Sequence, residues 1–322
     1  MHREAKSLSD INNPPEFKAY SSNGHSLPAH WRYILPKAFQ SMALPQETKA
    51  TCMNCPKIKE GWRPDYRCCT FIPSIPNFSL GLLLKSSNGR HVVQKAKERG
   101  LLTPEGLTQS PELYLKFMED MEADSYGKSQ KVLCPMLEPQ SGHCGIHQFR
   151  NAVCSTFFCI NDLGDEAEEF WAALQELVGQ VEMALSQWCL EETGYDVKAY
   201  MRTYDELAPT VTSLSDRHHH GFRSAVLQKL WGPYFGKEEE FYLACADVVV
   251  GNRERLWQIA CDTPILDSKI FNHHLLKSIP ESLAHHIDPE EWQTDYAPSL
   301  PMDLWIHLQD VHANLSQSLA ID

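Results

Sequence analysis

The sequence predicts a mostly α-helical fold in which a loop-rich, cysteine-containing metal region is followed by a helical C-terminal part. Apolar residues recur at three- and four-residue spacing through much of the second half of the chain, which is typical of amphipathic helices. Prolines interrupt residues 46–90, where each one removes a backbone donor and restrains the residue before it. Alternation of apolar and polar residues, the pattern of half-buried strands, is scarce.

The most clearly specified helix begins near Asp165. Its apolar positions repeat at helical spacing from Ala167 to Trp188. Acidic residues crowd the first turn, where the helix dipole favours negative charge, and Gly194 can end the helix. This pattern predicts a helix of about seven turns.

Shorter helices are predicted on both sides of this one. Ser110 precedes Pro111, which places a capping residue before a proline at the first helical position. The segments expected to be helical are 91–100, 110–123, 196–207, 221–231, 237–250 and 252–261. Residues 262–322 are expected to continue with short helical segments broken by prolines.

Shifts in composition divide the chain into three regions. Residues 1–45 are polar with an aromatic island, and we expect an N-terminal arm that packs partly on the body. Residues 46–162 are predicted to form a cysteine-cluster metal-binding region. Residues 163–322 are predicted to form a helical C-terminal region.

Composition excludes several functional classes. The chain has 322 residues, 43% hydrophobic and 22% charged, which is typical of a folded globular protein and not of a disordered one. A net charge of −13 repels phosphate backbones, so we expect no nucleic-acid partner. No segment reaches the roughly 18 apolar residues that a membrane-spanning helix needs. We therefore expect a cytoplasmic protein with no membrane partner.

Eight of the 11 cysteines are concentrated in the first half of the chain. In a reducing compartment, grouped cysteines indicate metal ligands or redox groups before disulfides. The candidate ligands are Cys52, Cys55, Cys68, Cys69, Cys134, Cys144, Cys154 and Cys159. The first two have the spacing that lets two thiolates close on one ion from a tight turn.

The number of thiols is larger than one mononuclear centre requires. Four thiolates saturate a structural zinc ion or a 4Fe–4S cluster, so eight exceed one centre. Cys159 also fits a buried apolar run, which leaves its role open. His143 and His147 flank Cys144 and are candidate ligands or hydrogen-bond donors to a thiolate. The three remaining cysteines lie in helical patterns among apolar neighbours and are predicted to be core residues: Cys189, Cys245 and Cys261.

The cysteine series resembles a known motif of Cys-x-x-Cys, Cys-Cys, Cys-Pro-x-Leu, Cys-x-Ile-x-x-x-Arg and a final Cys. The residues that carry the resemblance are Cys52, Cys55, Cys68, Cys69, Cys134, Leu137, Cys144, Ile146, Arg150 and Cys154. The series is similar to that of the YkgJ-type cysteine-cluster family, described as a zinc- or iron-chelating domain. A similar series occurs in flagellin lysine N-methylases, for which the resemblance implies an iron–sulfur cluster and methyl transfer from S-adenosylmethionine.

This chain departs from the family pattern within the motif. His147, Asn151 and Ser155 stand where the family usually has tyrosine, proline and arginine. Twelve residues separate Cys55 from Cys68, where the compact members have far fewer. The resemblance covers about residues 50–160 and therefore implies a metal-binding scaffold without assigning a reaction.

Three functional hypotheses follow. The first is a metal-binding cysteine-cluster protein that holds an iron–sulfur cluster, 4Fe–4S in form, with zinc as the alternative. The second is an iron–sulfur-dependent protein-modifying enzyme that resembles the lysine N-methylases, although no motif for S-adenosylmethionine or a nucleotide is present. The third is a structural zinc protein that acts as an interaction module for an unknown protein partner. Its contact surface would be formed by aromatic residues of the C-terminal helices, Trp231, Tyr234, Phe235 and Trp305.

Overall fold

Helices dominate the architecture. The computed structural model describes residues 20–22, 25–47, 55–86, 89–130, 132–138, 141–207, 221–263 and 301–321. Most of these residues are helical and few are in strands, which confirms the mostly α fold class predicted from the sequence. Among the helices of these ranges, none combines the length and apolarity that a membrane crossing requires.

The described α-helices differ widely in length, from one turn to 28 residues. They are α1 (Trp31–Ile34), α2 (Asn77–Leu84), α3 (Gly89–Glu98), α4 (Pro111–Glu122), α5 (Ala152–Thr156), α6 (Asp165–Glu192), α7 (Val197–Leu207), α8 (Ser224–Trp231), α9 (Glu238–Gly251), α10 (Leu256–Asp262) and α11 (Pro301–Ile321). Short 3₁₀ turns occupy Lys37–Ser41, Pro56–Glu60, His147–Phe149 and Gly232–Tyr234.

Helix α6 organises the core. Its apolar face is fully buried at Phe170, Leu177 and Leu185, and it packs against α5, α10 and α11. Acidic residues occupy its first turn and Gly194 follows its end with a positive φ of 75°. The start, end and length of this helix therefore match the sequence prediction.

Helix α2 lies inside the proline-rich segment, where the sequence predicted no long regular element. All eight of its residues are buried, and it packs along α9. The prolines of this segment precede Asn77, so none of them interrupts the apolar run from Phe78 to Leu84. Gly81 permits the close approach, because a Cβ atom there would lie 1.9 Å from the carbonyl oxygen of Tyr242.

The strands form three small antiparallel sheets. They are β1 (Tyr20–Ser22) with β2 (His25–Leu27), β3 (Ile75–Pro76) and β4 (Leu102–Thr103) on either side of β5 (Gly106–Leu107), and β6 (Leu137–Glu138) with β7 (His143–Cys144). In the last of these, Leu137 is paired with Cys144. This hairpin places a candidate ligand beside a buried apolar residue.

The described residues of the N-terminal region belong to the main core. Trp31, Ile34 and Phe39 are almost completely buried. His30 is also buried, and its Nε2 atom lies 3.3 Å from a carboxylate oxygen of Glu182 on α6. These contacts attach residues 25–47 to α6, which is the longest helix within the described ranges.

The other helices predicted before the tail are present, with ends shifted by up to four residues, whereas the described part of the tail differs from the prediction. Ser110 caps α4 by accepting a hydrogen bond from the Leu113 amide at 3.3 Å. Helix α11 is a single 21-residue helix, longer than the short segments expected there. Residues 264–300, which the prediction also included, lie outside the described residues.

Candidate metal centre

Seven of the eight candidate cysteines fall within the described residues, and Cys52 lies outside them. They occur in five short stretches, and α2, α3, α4 and the sheet of β3, β4 and β5 lie between Cys69 and Cys134 in the chain. Cys55 precedes the turn Pro56–Glu60, Cys68 and Cys69 end a turn, Cys134 precedes β6, Cys144 is in β7, Cys154 is in α5 and Cys159 follows that helix. All seven carry free thiols in the structure.

Backbone hydrogen bonds join three of these stretches. The Cys134 amide donates to the carbonyl oxygen of Cys69 at 2.7 Å. The Leu137 amide then donates to the carbonyl of Cys134 at 3.2 Å, and Leu137 is paired with Cys144 across the hairpin. The backbones of Cys69, Cys134 and Cys144 are therefore held in a fixed relation.

The stretch that contains Cys154 is held by the N-terminal cap of α5 and by an arginine side chain. Asn151 caps α5, with its Oδ1 atom accepting the amide of Cys154 at 3.1 Å. The Arg150 guanidinium donates to the carbonyl oxygens of Cys154 at 3.1 Å, Ser26 at 3.2 Å and His147 at 3.2 Å. Arg150, one of the motif residues, thus ties the cysteine region to the N-terminal hairpin.

The thiols of four cysteines lie close enough to influence one another. Burial raises the pKa of Cys134 to about 12, and the neighbouring thiols of Cys144 and Cys68 raise it further. Burial likewise raises the pKa of Cys154 well above its ordinary value, with added repulsion from Cys134, Cys144 and Cys68. Together Cys68, Cys134, Cys144 and Cys154 form what we call the inner thiol group.

Tyr126 covers the inner thiol group. Its hydroxyl donates to the carbonyl oxygen of Cys68 at 3.3 Å. Its pKa is raised by burial first and then by the neighbouring thiols, with Cys68 and Cys154 the strongest and Cys69 and Cys159 also contributing. The ring makes edge contacts with three aromatic side chains, Trp62, Phe117 and Phe157. Tyr126 and these rings therefore form an aromatic cluster beside the thiols, in which Phe157 remains exposed.

Cys55 and Cys159 lie at the edge of this arrangement. Both are near the ammonium group of Lys57, whose pKa is raised first by a hydrogen bond to Glu60 and slightly by these two thiols. Lys57 is half-buried, and its Nζ atom lies 2.8 Å from a carboxylate oxygen of Glu60. Cys159 links the inner thiol group to Cys55, since its thiol is near both Tyr126 and Lys57. We call Cys55, Cys69 and Cys159 the outer thiols.

No family model, curated protein or solved structure matches this chain. The resemblance to cysteine-cluster proteins therefore rests on the motif residues alone. The chemistry of the site has to be argued from the thiols themselves.

The thiols are neighbours without converging on one point. Within the ranges that the structure describes, no group of three or more His, Cys, Asp or Glu side chains is arranged to hold a metal ion. The raised pKa values of Cys134 and Cys154 mean that these thiols are protonated at neutral pH when no cation is present. Soft thiolate donors of this kind suit zinc and iron–sulfur clusters, and binding would replace the protons.

The flanking histidines differ from each other. Both side chains are exposed, but the pKa of His147 is lowered to about 4, first by partial desolvation of its ring and then by the charges of Arg150 and His143. The His147 imidazole is therefore neutral at pH 7, and the unprotonated ring nitrogen can coordinate a metal ion or accept a hydrogen bond. His143 is exposed on β7.

The three cysteines predicted to be core residues lie in the helical part. Cys189 and Cys245 are completely buried on α6 and α9, and the Cys189 thiol lies 3.8 Å from the Cys245 carbonyl oxygen. Cys261 is half-buried on α10. The prediction that these cysteines are core residues is confirmed for Cys189 and Cys245.

Sequence reasoning missed two residues of the site. Tyr126 belongs to no recognisable motif, and it is 58 positions away in the sequence from Cys68, which it contacts. The Arg99 guanidinium donates to the carbonyl oxygen of Leu133 and lies near the Cys134 thiol. Burial lowers the pKa of Arg99, and the negative charge of a Cys134 thiolate opposes that effect. No local pattern in the sequence signals either residue.

Proposed function

We propose that this protein is a metal-binding cysteine-cluster protein that holds an iron–sulfur cluster, with zinc as the alternative occupant. The observation that carries the proposal is the inner thiol group, because its four thiols come from separate stretches and lie within one another's electrostatic range. Folding brings these protonated thiols together. If more than one of them ionises, the thiolates repel one another and the folded state is destabilised. A bound cation offsets that repulsion.

The inner thiols Cys68, Cys134, Cys144 and Cys154 are the residues proposed to hold the group. The outer thiols Cys55, Cys69 and Cys159 exceed the four donors that one centre needs, and they are proposed to serve a second centre or to exchange with the first. A bound cluster would supply one-electron chemistry or a cross-link between loops, whereas zinc would supply the cross-link alone. Tyr126 and its aromatic neighbours would keep water from the thiolates, and Arg150 would hold Cys154 in position.

The loops around the thiols support the need for such a cross-link. Residues 55–70 contain a single 3₁₀ turn, and the stretch from 132 to 160 contains a two-residue hairpin pair and two short helical turns. Elements of this size are marginal without additional stabilisation. A metal bound by cysteines from several stretches provides it.

Anaerobic purification followed by iron, zinc and sulfide analysis and a visible absorption spectrum tests the proposal. A brown protein with inorganic sulfide supports the cluster. A colourless protein with stoichiometric zinc supports the alternative and favours a structural role. A protein that carries neither metal, and takes up neither on reconstitution under reducing conditions, would contradict the proposal.

A further inference from the structure

Arg67 has a backbone conformation that residues with side chains seldom adopt. Its φ is 54°, in the left-handed region, where a Cβ atom crowds the backbone. Within the described ranges, the other non-glycine residue with a positive φ is Asp124. Arg67 directly precedes Cys68. Asp124 lies two positions before Tyr126, whose hydroxyl donates to the carbonyl oxygen of Cys68. Both unusual conformations therefore occur close to the same inner thiol.

The surrounding loop holds Arg67 in this conformation. The Arg63 amide donates to the Gly127 carbonyl oxygen at 2.9 Å, and the Thr70 hydroxyl oxygen accepts the Gly127 amide at 2.7 Å. Residues 63–70 are therefore anchored at both ends to one position. Inside the loop, the Arg67 amide donates to the Arg63 carbonyl oxygen at 2.8 Å. Strained backbone persists where the surrounding structure determines it, and it is concentrated at functional sites.

The Arg67 side chain joins this loop to the β6–β7 hairpin. Its Nη1 atom donates to the Gly142 carbonyl oxygen at 2.7 Å, across 75 positions of the chain. Gly142 has a φ of 66° and directly precedes β7. A Cβ atom on Gly142 would lie 2.7 Å from the Arg67 Nη2 atom, so the absence of a side chain leaves room for the guanidinium group. The hairpin and the loop are thus fitted to each other at this contact.

Long-range hydrogen bonds flank Cys68 on both sides in the chain. Before it, the Arg67 guanidinium is bonded to the residue two positions before Cys144. After it, the Cys69 carbonyl oxygen accepts the Cys134 amide. The Cys68 thiol is close enough to Cys134 to raise the pKa of that group. Cys68 is therefore held between the stretches that carry two other inner thiols.

We propose that Arg67 is a positioning residue of the metal site, which holds Cys68 beside the β6–β7 hairpin before a cation binds. The inference rests on the proposed function, because it takes the inner thiols to be the ligands. Arg67 is not a ligand itself, since a guanidinium offers donors and no acceptor. It acts through the backbone of Cys68 and through its hydrogen bond to Gly142. Thiols that folding has already placed bind a cation more tightly, because less freedom is lost on binding.

Three substitutions separate the parts of this role. Arg67→Gly removes the guanidinium and suits the left-handed backbone, whereas Arg67→Gln removes the guanidinium and keeps the strained backbone. Arg67→Lys keeps the positive charge and one donor group. Arg63→Gln is the matched control, because Arg63 is an exposed arginine of the same loop whose side chain is paired with Asp65 at 2.8 Å. It removes the same charge without a contact to the hairpin.

Competition between each reduced protein and a chromophoric zinc chelator measures the affinity for zinc ions. We expect Arg67→Gly and Arg67→Gln to bind zinc about tenfold more weakly than the wild type, the lower range for residues that orient metal ligands. Arg67→Lys should recover part of this loss, and Arg63→Gln should bind zinc like the wild type. Unchanged affinity in both Arg67→Gly and Arg67→Gln, or an equal loss in Arg63→Gln, would overturn the proposal.

Alkylation of the metal-free protein separates this inference from the metal proposal. The rate at which iodoacetamide modifies Cys68, followed by mass spectrometry of peptides, should rise at least about tenfold in Arg67→Gly and Arg67→Gln, because the loop opens more often. Cys189 is completely buried in the core and reports global unfolding, so its rate should stay unchanged. If the wild type takes up no zinc but Cys68 responds in this way, the metal proposal fails and the positioning of Cys68 by Arg67 stands. Equal acceleration at Cys68 and Cys189 would show a general structural role and refute the positioning role.

Discussion

At the scale of single residues, Cys134 is the thiol whose surroundings are most fully determined by other parts of the chain. It is buried, its amide is bonded to Cys69, and its carbonyl accepts the amide of Leu137. Arg99 lies on one side of it and the thiols of Cys144 and Cys68 on the other. A substitution of Cys134 therefore tests the inner thiol group with little effect on the exposed surface.

Replacement of Cys134 by serine is expected to remove most of the bound iron or zinc, because one of four donors is lost from the inner group. Cys261→Ser is the matched control, since Cys261 is half-buried on α10 and lies among the core positions. Metal content per protein, measured by elemental analysis after identical purification, distinguishes the variants. Full metal retention in Cys134→Ser would exclude Cys134 as a ligand.

The raised pKa of Cys134 also predicts how stability depends on pH in the metal-free protein. The folded thiol has a pKa of about 12, above the ordinary cysteine value of about 8.5. Its stabilising contribution is present below the ordinary value and is lost as pH rises toward the folded value, because the unfolded chain gives up this proton first.

Urea unfolding with chelator and reductant measures this effect. We expect a lower free energy of unfolding at about pH 9.5 than at about pH 7.5, and a smaller decrease in Cys134→Ser. Metal-loaded protein should show the opposite trend, losing stability on acidification as protons compete for the thiolates. Identical pH dependence in wild type and Cys134→Ser would show that this thiol does not contribute.

At the scale of elements, α2 packs closely on α9 through a glycine. Gly81 faces the Tyr242 carbonyl oxygen, and the Tyr242 hydroxyl donates to the Thr103 carbonyl at 2.6 Å. Tyr242 therefore joins α9 both to α2 and to the small sheet of β3, β4 and β5. The packing of α2 on α9 therefore depends on the absence of a side chain at position 81.

Gly81→Ala is expected to lower the free energy of unfolding by about 3 kcal/mol, because the new methyl group collides with backbone that cannot move aside. Gly179→Ala is the control in the middle of α6, where a Cβ atom would meet only Ala152 at 4.0 Å. There the better helix propensity of alanine should raise stability by up to about 1 kcal/mol. Chemical denaturation of both variants checks the pair, and a neutral Gly81→Ala would contradict the close packing.

At the scale of the whole molecule, the cysteine region is attached to the helices and shares their hydrophobic core, which includes Cys134, Met136 and Ile146. A buried carboxylate makes one of these attachments, since Glu182 on α6 accepts the Ala152 amide of α5 at 2.9 Å and lies beside His30. Glu47 makes another, because it accepts the Trp171 indole at 3.1 Å and also the amide of Asp162, which follows Cys159, at 2.5 Å. Residues 25–47 and α2 belong to this core, although they precede most of the cysteines in the chain.

Metal removal is therefore expected to open the cysteine loops without unfolding the core. Hydrogen exchange, followed by mass spectrometry with and without a strong chelator, should become faster in residues 55–70 and 132–160. Exchange in α2 and α6 should change less, because α2 is buried against α9, and α6 is buried against α10 and α11. Equal acceleration in α6 would mean that the metal supports the entire fold, and unchanged loops would mean that it supports none of it.

Much of the helical architecture could be predicted from local patterns. The apolar repeat, acidic first turn and Gly194 specify α6, and Ser110 with Pro111 specifies the start of α4. These signals lie within a few residues of the feature they determine, so sequence alone contains them. Helix α2 was missed because its apolar residues cover every side and leave no helical periodicity, a pattern that only complete burial explains.

The candidate site, like the fold, could be predicted from the sequence only in part. The sequence by itself determined the types and spacing of the thiols, the distinction between core and clustered cysteines, and the motif that suggests a metal. Only the tertiary structure decided that Cys68, Cys134, Cys144 and Cys154 are neighbours, that Tyr126 contacts the backbone of Cys68 and that Arg99 lies near Cys134. The physical reason is that these relations join positions far apart in the chain, and hydrogen bonds and burial formed on folding bring them together.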